Sequence, residues 1–113
     1  MDEYRNHEIS REELKAKLDR GEPFKLVMVL DEKAFERLHI PGSINVPYGS
    51  PALDNLDRRD ELVVYCSGMP CPASWLAVKR LLARGFRRVR YYAGGLADWA
   101  EAGFPVEGAW AIV

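Results

Sequence analysis

Two short, nearly unbroken apolar runs narrow what this chain can become: Phe24 to Leu30, and Leu62 to Tyr65 ending on Cys66. The second is rich in β-branched and aromatic residues, and both are too short for ordinary helices. Neither shows the polar alternation of a strand with one wet face. Runs of this kind belong to strands buried on both sides, the situation of a parallel sheet covered by helices. Parallel neighbours cannot be joined by a tight hairpin, so the chain must supply crossover segments between its strands.

It does so in order. Ser10 and Glu13 form a capping box before a helix in which Leu14 and Leu18 share a face, and Gly21 sits where a helix-terminating C′ residue belongs. Asp31 is placed to cap a short helix carrying Phe35 and Leu38. Pro41-Gly42 marks a turn, Ile44 and Val46 a short strand, and Pro47 its end. Tyr48 to Asp60 is polar and turn-rich, with one helical turn around Ala52 to Leu56. Past the cysteine, a helix from about Ser74 carries Val78, Leu81 and Leu82 on one face and ends at Gly85. Val89 to Tyr92 is a further strand, and Gly94-Gly95 opens a helix with Leu96 and Trp99 that closes at Gly103 and Pro105. Strands alternating with helices predict a three-layer α/β domain over residues 1–113, with a central, mostly parallel sheet of about five strands flanked by helices.

Cys66 therefore lies where a central strand gives way to a helix N-terminus. Ligands of open α/β sheets bind at the carboxyl ends of strands. Unpaired N–H groups and the positive dipole end of a helix favour thiolate over thiol. This is a setting for a nucleophile, although a free cysteine at a strand end is also an ordinary small core residue.

Charge adds a constraint. Residues 1–61 carry 10 basic and 14 acidic side chains, residues 62–113 carry 6 and 3. The second half is the better place for an anionic substrate; its basic cluster, Arg80, Arg84, Arg87, Arg88 and Arg90, reads as a solvated face. The overall charge of −1 implies no bulk attraction to nucleic acid or an anionic membrane. The acidic start Met1-Asp2-Glu3-Tyr4 does not read as a signal peptide, and no stretch is long enough to span a bilayer, so a cytoplasmic setting with reduced thiols is expected. Two cysteines, with His7 and His39 far off in sequence, make a poor metal set, so neither metal nor cofactor is expected.

Three segments together resemble the rhodanese-like family of sulfurtransferase domains. His39-Ile40-Pro41-Gly42-Ser43-Ile44-Asn45-Val46-Pro47 is similar to the family's HIPGAxNxP segment. Val63-Val64-Tyr65-Cys66 looks like the strand ending in its active-site cysteine. Gly85-Phe86 followed by Gly94-Gly95, Trp99, Gly103 and Pro105 looks like its closing pattern. The similarity runs from about Ile9 to Val106. It implies a persulfide-forming Cys66, a small sulfur donor or other anion as ligand, and a thiol protein as a candidate acceptor; oligomeric state is not implied. Two departures stand out. The family's loop has six residues and ends in Arg before a Ser; here Cys71 is the sixth and Ser74 comes two places late. Met28 and Leu30 stand where the family usually has an Asp-x-Arg pair.

The resemblance makes Cys66 the catalytic residue and Ser67, Gly68, Met69, Cys71, Ala73 and Ser74 the substrate-binding loop, with backbone N–H groups curling around the sulfur as an anion nest. Pro70 and Pro72 bring no N–H and stiffen the loop. Cys71 is the candidate redox partner. Three functions compete: sulfur transfer through Cys66, a dithiol redox enzyme using Cys66 and Cys71, and a non-catalytic module that binds a partner protein. A phosphatase would require a loop Arg to grip a tetrahedral dianion. An arginine of the basic cluster could reach over the cysteine in place of that Arg. His39 reads as a packing residue, Trp75 as either mouth or helix cover, and Gly94-Gly95 as a tight turn and not a phosphate cradle.

Overall fold

The computed structural model describes residues 6–68 and 72–111. Four strands pair in parallel: β1 (Lys25–Met28), β2 (Ile44–Asn45), β3 (Leu62–Tyr65) and β4 (Val89–Tyr92), in the order β2-β1-β3-β4. The helices are α1 (Arg11–Asp19), α2 (Glu32–Arg37), α3 (Pro72–Ala83) and α4 (Gly95–Glu101), with a 3-10 helix at Pro51–Asn55. The α/β architecture matches the expectation; among the described residues the count of about five strands is corrected to four. A fifth place beside β4 is held by a single bridge, Glu8 to Tyr91. There Ile9 N–H donates to Tyr91 O at 2.9 Å and Tyr91 N–H to His7 O at 2.7 Å. The edge cannot lengthen because Ser10 is already the N-cap of α1.

The alternation of side chains along β3 divides the interior. Leu62, Val64 and Cys66 face α3, packing with Ala77, Val78, Leu81, Phe86 and Leu53. Val63 and Tyr65 face the other way, against Leu14 of α1, Ile40 and Trp99 of α4. Every residue of β3 is fully buried, which explains the unbroken apolar run. Met28 lies in the second layer as ordinary core, and Leu30 packs against both.

Two local expectations are corrected. Ser10 Oγ accepts the Glu13 N–H at 3.0 Å, but the Glu13 carboxylate does not return to close the box. It takes a two-pronged pair from Arg90 instead (2.6 and 2.9 Å), which a single backbone N–H cannot match. Asp31 caps α2 as expected, its carboxylate accepting from Ala34 N–H at 2.8 Å, whereas Leu38 is an extended C-cap residue beyond the helix.

Candidate active site

Cys66 follows directly on β3, in the middle of the sheet and at the carboxyl end of its strands, and is 2% exposed. Its sulfur is engaged in a disulfide. The strand end is anchored from one side by Tyr65. The Tyr65 hydroxyl accepts from Ile40 N–H at 2.9 Å and lies 2.9 Å from Ser43 Oγ, which is itself 2.6 Å from Ile40 O. Ser43 has one proton and gives it to that carbonyl, so Tyr65 is the donor toward Ser43. Burial raises the Tyr65 pKa, so the hydroxyl keeps the proton this arrangement needs. The His-Ile-Pro-Gly-Ser turn thus has a concrete task, to hold the residue before the cysteine. A tyrosine closing an otherwise aliphatic strand was the readable signal, since a buried Tyr hydroxyl requires a partner.

From the other side the loop is held by α4. Leu96 N–H donates to Cys66 O and Ala97 N–H to Ser67 O, both at 2.8 Å. Gly95, at φ +62°, lies so close that a Cβ there would stand 2.6 Å from Cys66 O and 2.7 Å from Gly68 N. The Gly94-Gly95 pair is a turn into a helix as expected, and it is also a packing surface for the cysteine loop. Beside it, Asp98 accepts from Arg11 Nη1 at 3.1 Å and from the Tyr92 hydroxyl. Burial first, then the neighbouring Asp98 carboxylate, push the Tyr92 pKa up.

The other predicted site residues fall as follows. Ser67 is exposed and Gly68 buried. Ala73 and Ser74 lie in the first turn of α3, Ala73 against the core and Ser74 only 4% exposed. Met69 and Cys71, with Pro70 between them, lie outside the described residues. Trp75 packs on the α3-side core, its ring 5.6 Å from Tyr91 and 6.4 Å from His7. His39 stacks on Phe35 at 3.8 Å with Nδ1 2.7 Å from Phe35 O. Asn45 donates its amide to Met28 O and Leu30 O at 3.1 and 2.8 Å, closing the exit of β1.

Four arginines of the basic cluster are engaged elsewhere. Arg80 grips Asp54 with two bonds of 3.0 and 2.7 Å, and Arg84 reaches the same carboxylate at 3.3 Å. Arg88 pairs with Glu61 and Arg90 with Glu13. The Arg80 hydrogen bonds hold Asp54 down at a pKa of about 2. Among the described residues no group of three or more His, Cys, Asp or Glu could hold a metal ion, and no helix is long and apolar enough to cross a membrane.

Against known proteins, residues 10–102 match the model of the rhodanese-like domain. The chain is 32% identical over 95 residues to a putative sulfur carrier protein, YrkF, of Bacillus subtilis, covering 81% of this chain and 50% of that one. It is 36% identical over 101 residues to the HTH-type transcriptional regulator Rv0324 of Mycobacterium tuberculosis, covering 88% and 44%. The chain thus spans about half the length of these curated relatives. The crystal structure of the BH2092 protein from Bacillus halodurans superposes with a TM-score of 0.85 at 27% identity, covering 92% of this chain and 78% of that one.

Proposed function

The chain belongs to the rhodanese-like domain family, and from that premise we propose that it transfers sulfur through Cys66. In the reduced protein the Cys66 thiolate attacks the outer sulfur of a donor such as thiosulfate. A bond forms between the two sulfurs, the donor's S–S bond breaks, and sulfite leaves with the electron pair. The persulfide on Cys66 is then attacked at its outer sulfur by an acceptor thiolate, which leaves as the new persulfide and restores Cys66. No external oxidant or reductant enters this cycle. The observation that carries the reading is the position of Cys66, at the carboxyl end of the central buried strand with its carbonyl tied to the first turn of α4. The sulfur-carrier name of the Bacillus subtilis relative supports the same chemistry. Ser67, Gly68, Met69 and Cys71 of the loop, with Ala73 and Ser74 in the first turn of α3, form the proposed binding site.

A second reading rests on one observation, the disulfide at Cys66. The chain's other cysteine is Cys71, and a reversible 66–71 disulfide makes a dithiol redox enzyme.

One experiment separates the two. The reduced protein is treated with thiosulfate, its intact mass is taken, and added sulfur is located by peptide mapping in parallel with Cys66→Ser and Cys71→Ser variants. Sulfur on Cys66 that cyanide removes, retained in Cys71→Ser, supports transfer. A disulfide that dithiol reductants cycle, with no added sulfur, supports the redox reading and sinks the first.

A further inference from the structure

We propose that the first turn of α4, through Gly95, Leu96 and Ala97, is a positioning element that aims the backbone N–H groups of the cysteine loop. This rests on the reading of Cys66 as a thiolate nucleophile. In a trans peptide the C=O and the next N–H point to opposite sides of the chain. Leu96 N–H captures Cys66 O and Ala97 N–H captures Ser67 O, each at 2.8 Å. Both carbonyls therefore face α4, and the N–H groups of Ser67 and Gly68 face away from it, toward the α3 side of the sheet on which Cys66 packs. The N–H donors of Leu96 and Ala97 come at no loss to α4, because the first turn of a helix has no internal acceptors for them. The close seat requires Gly95, where a Cβ would press on Cys66 O, on Gly68 N and, at 2.9 Å, on Gly68 Cα. Those are backbone atoms, with no flexible side chain to give way.

Stabilising negative charge on Cys66 then falls to oriented dipoles. The elements flanking the loop carry Asp98 and Glu101 on α4 and Lys79 and Arg80 on α3, of which Glu101 and Lys79 are exposed to solvent. The strand β3 carries only the Tyr65 hydroxyl, kept protonated by burial. Asp98 is engaged by Arg11 and Tyr92, and Arg80 by Asp54. Donors aimed at a thiolate lower its pKa and hold it ready to react.

The test uses the reduced protein with Cys71→Ser, so that Cys66 is the one thiol, and follows the rate of iodoacetamide alkylation against pH. The parent should titrate well below an ordinary thiol. Gly95→Ala should raise the pH of half-maximal rate by about one unit, an about tenfold loss of thiolate below that point. Ala97→Pro, which deletes one donor that has no acceptor within α4, should move it the same way by less. Gly103→Ala is the control: also at positive φ, at the far end of α4, with nothing within 4 Å, it should leave the profile in place. If Gly95→Ala fails to fold, amide NMR of the parent decides. Ser67 and Gly68 N–H resonances should move with Cys66 ionisation, while those of Leu96 and Ala97 stay protected from exchange. A low-pKa parent with unmoved variants, or unmoved Ser67 and Gly68 amides, overturns the positioning role alone. A parent that titrates as an ordinary thiol overturns both this role and the thiolate reading beneath it.

Discussion

Tyr65 and Asp54 carry two residue-scale consequences of opposite kind, one set by burial and one by charge. Replacing Tyr65 with Phe keeps the ring volume but deletes the acceptor of Ile40 N–H, which is fully buried with its residue. A buried donor left without a partner costs about 1–3 kcal/mol. Urea unfolding of Tyr65→Phe should show that loss, and Ser43→Ala a smaller one, because Ser43 is partly open and water can replace its hydroxyl. Equal midpoints for Tyr65→Phe and the parent would refute the anchoring role. Asp54 behaves differently. Its carboxyl falls from the ordinary 3.8 to about 2 because Arg80, and then Arg84, hydrogen-bond its charged form. A folded-state pKa below the unfolded value contributes stability that is present above the unfolded pKa and is lost as pH falls through the folded one. Folding should therefore weaken between about pH 4 and pH 2. Asp54→Asn, compared with the parent by unfolding midpoints at about pH 5 and about pH 2.5, should lack part of that acid-side decline.

The elements themselves were legible to different depths, and the reasons are local. The caps of α1 and α2 and the apolar strands could be read because each depends on residues a few places apart. The pull of Arg90 on Glu13, the link from Tyr65 to Ser43, and the seat of Gly95 against Cys66 join residues that only the folded chain brings together. The same holds for the C-terminal segment. His39 and Glu107 exchange backbone bonds, and the N–H groups of Ala109 and Trp110 satisfy the end carbonyls of α2 at Glu36 and Arg37, both at 2.9 Å. Gly108 lies against that helix end at φ +130°, where a Cβ would stand 2.4 Å from Arg37 O. Gly108→Ala must therefore displace the segment from α2. We expect a loss of about 1–3 kcal/mol by chemical denaturation, with faster amide exchange at Ala109 and Trp110. An unchanged midpoint with unchanged exchange would show that α2 does not depend on this strap.

For the molecule as a whole, the fold rearranges the charge that the sequence lays out in two unequal halves. The basic excess of residues 62–113 suggested a place for an anionic substrate, yet in space its arginines meet carboxylates from the other half: Asp54, Glu61 and Glu13. Lys17, buried near the same surface, is likewise held charged by Glu61 and Glu22, which outweigh the opposing effect of its burial. Among the described residues of that half, Lys79 and Arg87 remain outside these ion pairs. The linear charge count was correct; what it could not contain was the pairing, which depends on the register of α3 and β4 against the N-terminal half. A paired cation projects little field beyond its partner, and salt screens what is left within about 8–10 Å. Long-range attraction of anions to Cys66 should therefore be weak, with any selectivity exerted at contact by the loop. Alkylation of the reduced protein by iodoacetate and by neutral iodoacetamide gives the measurement. From about 20 mM to about 200 mM salt, the ratio of the two rates should change by less than about threefold. A steep fall would mean that Lys79 and Arg87, and not the backbone of the loop, govern the approach of an anion. In that case Lys79→Ala or Arg87→Ala would abolish the salt dependence.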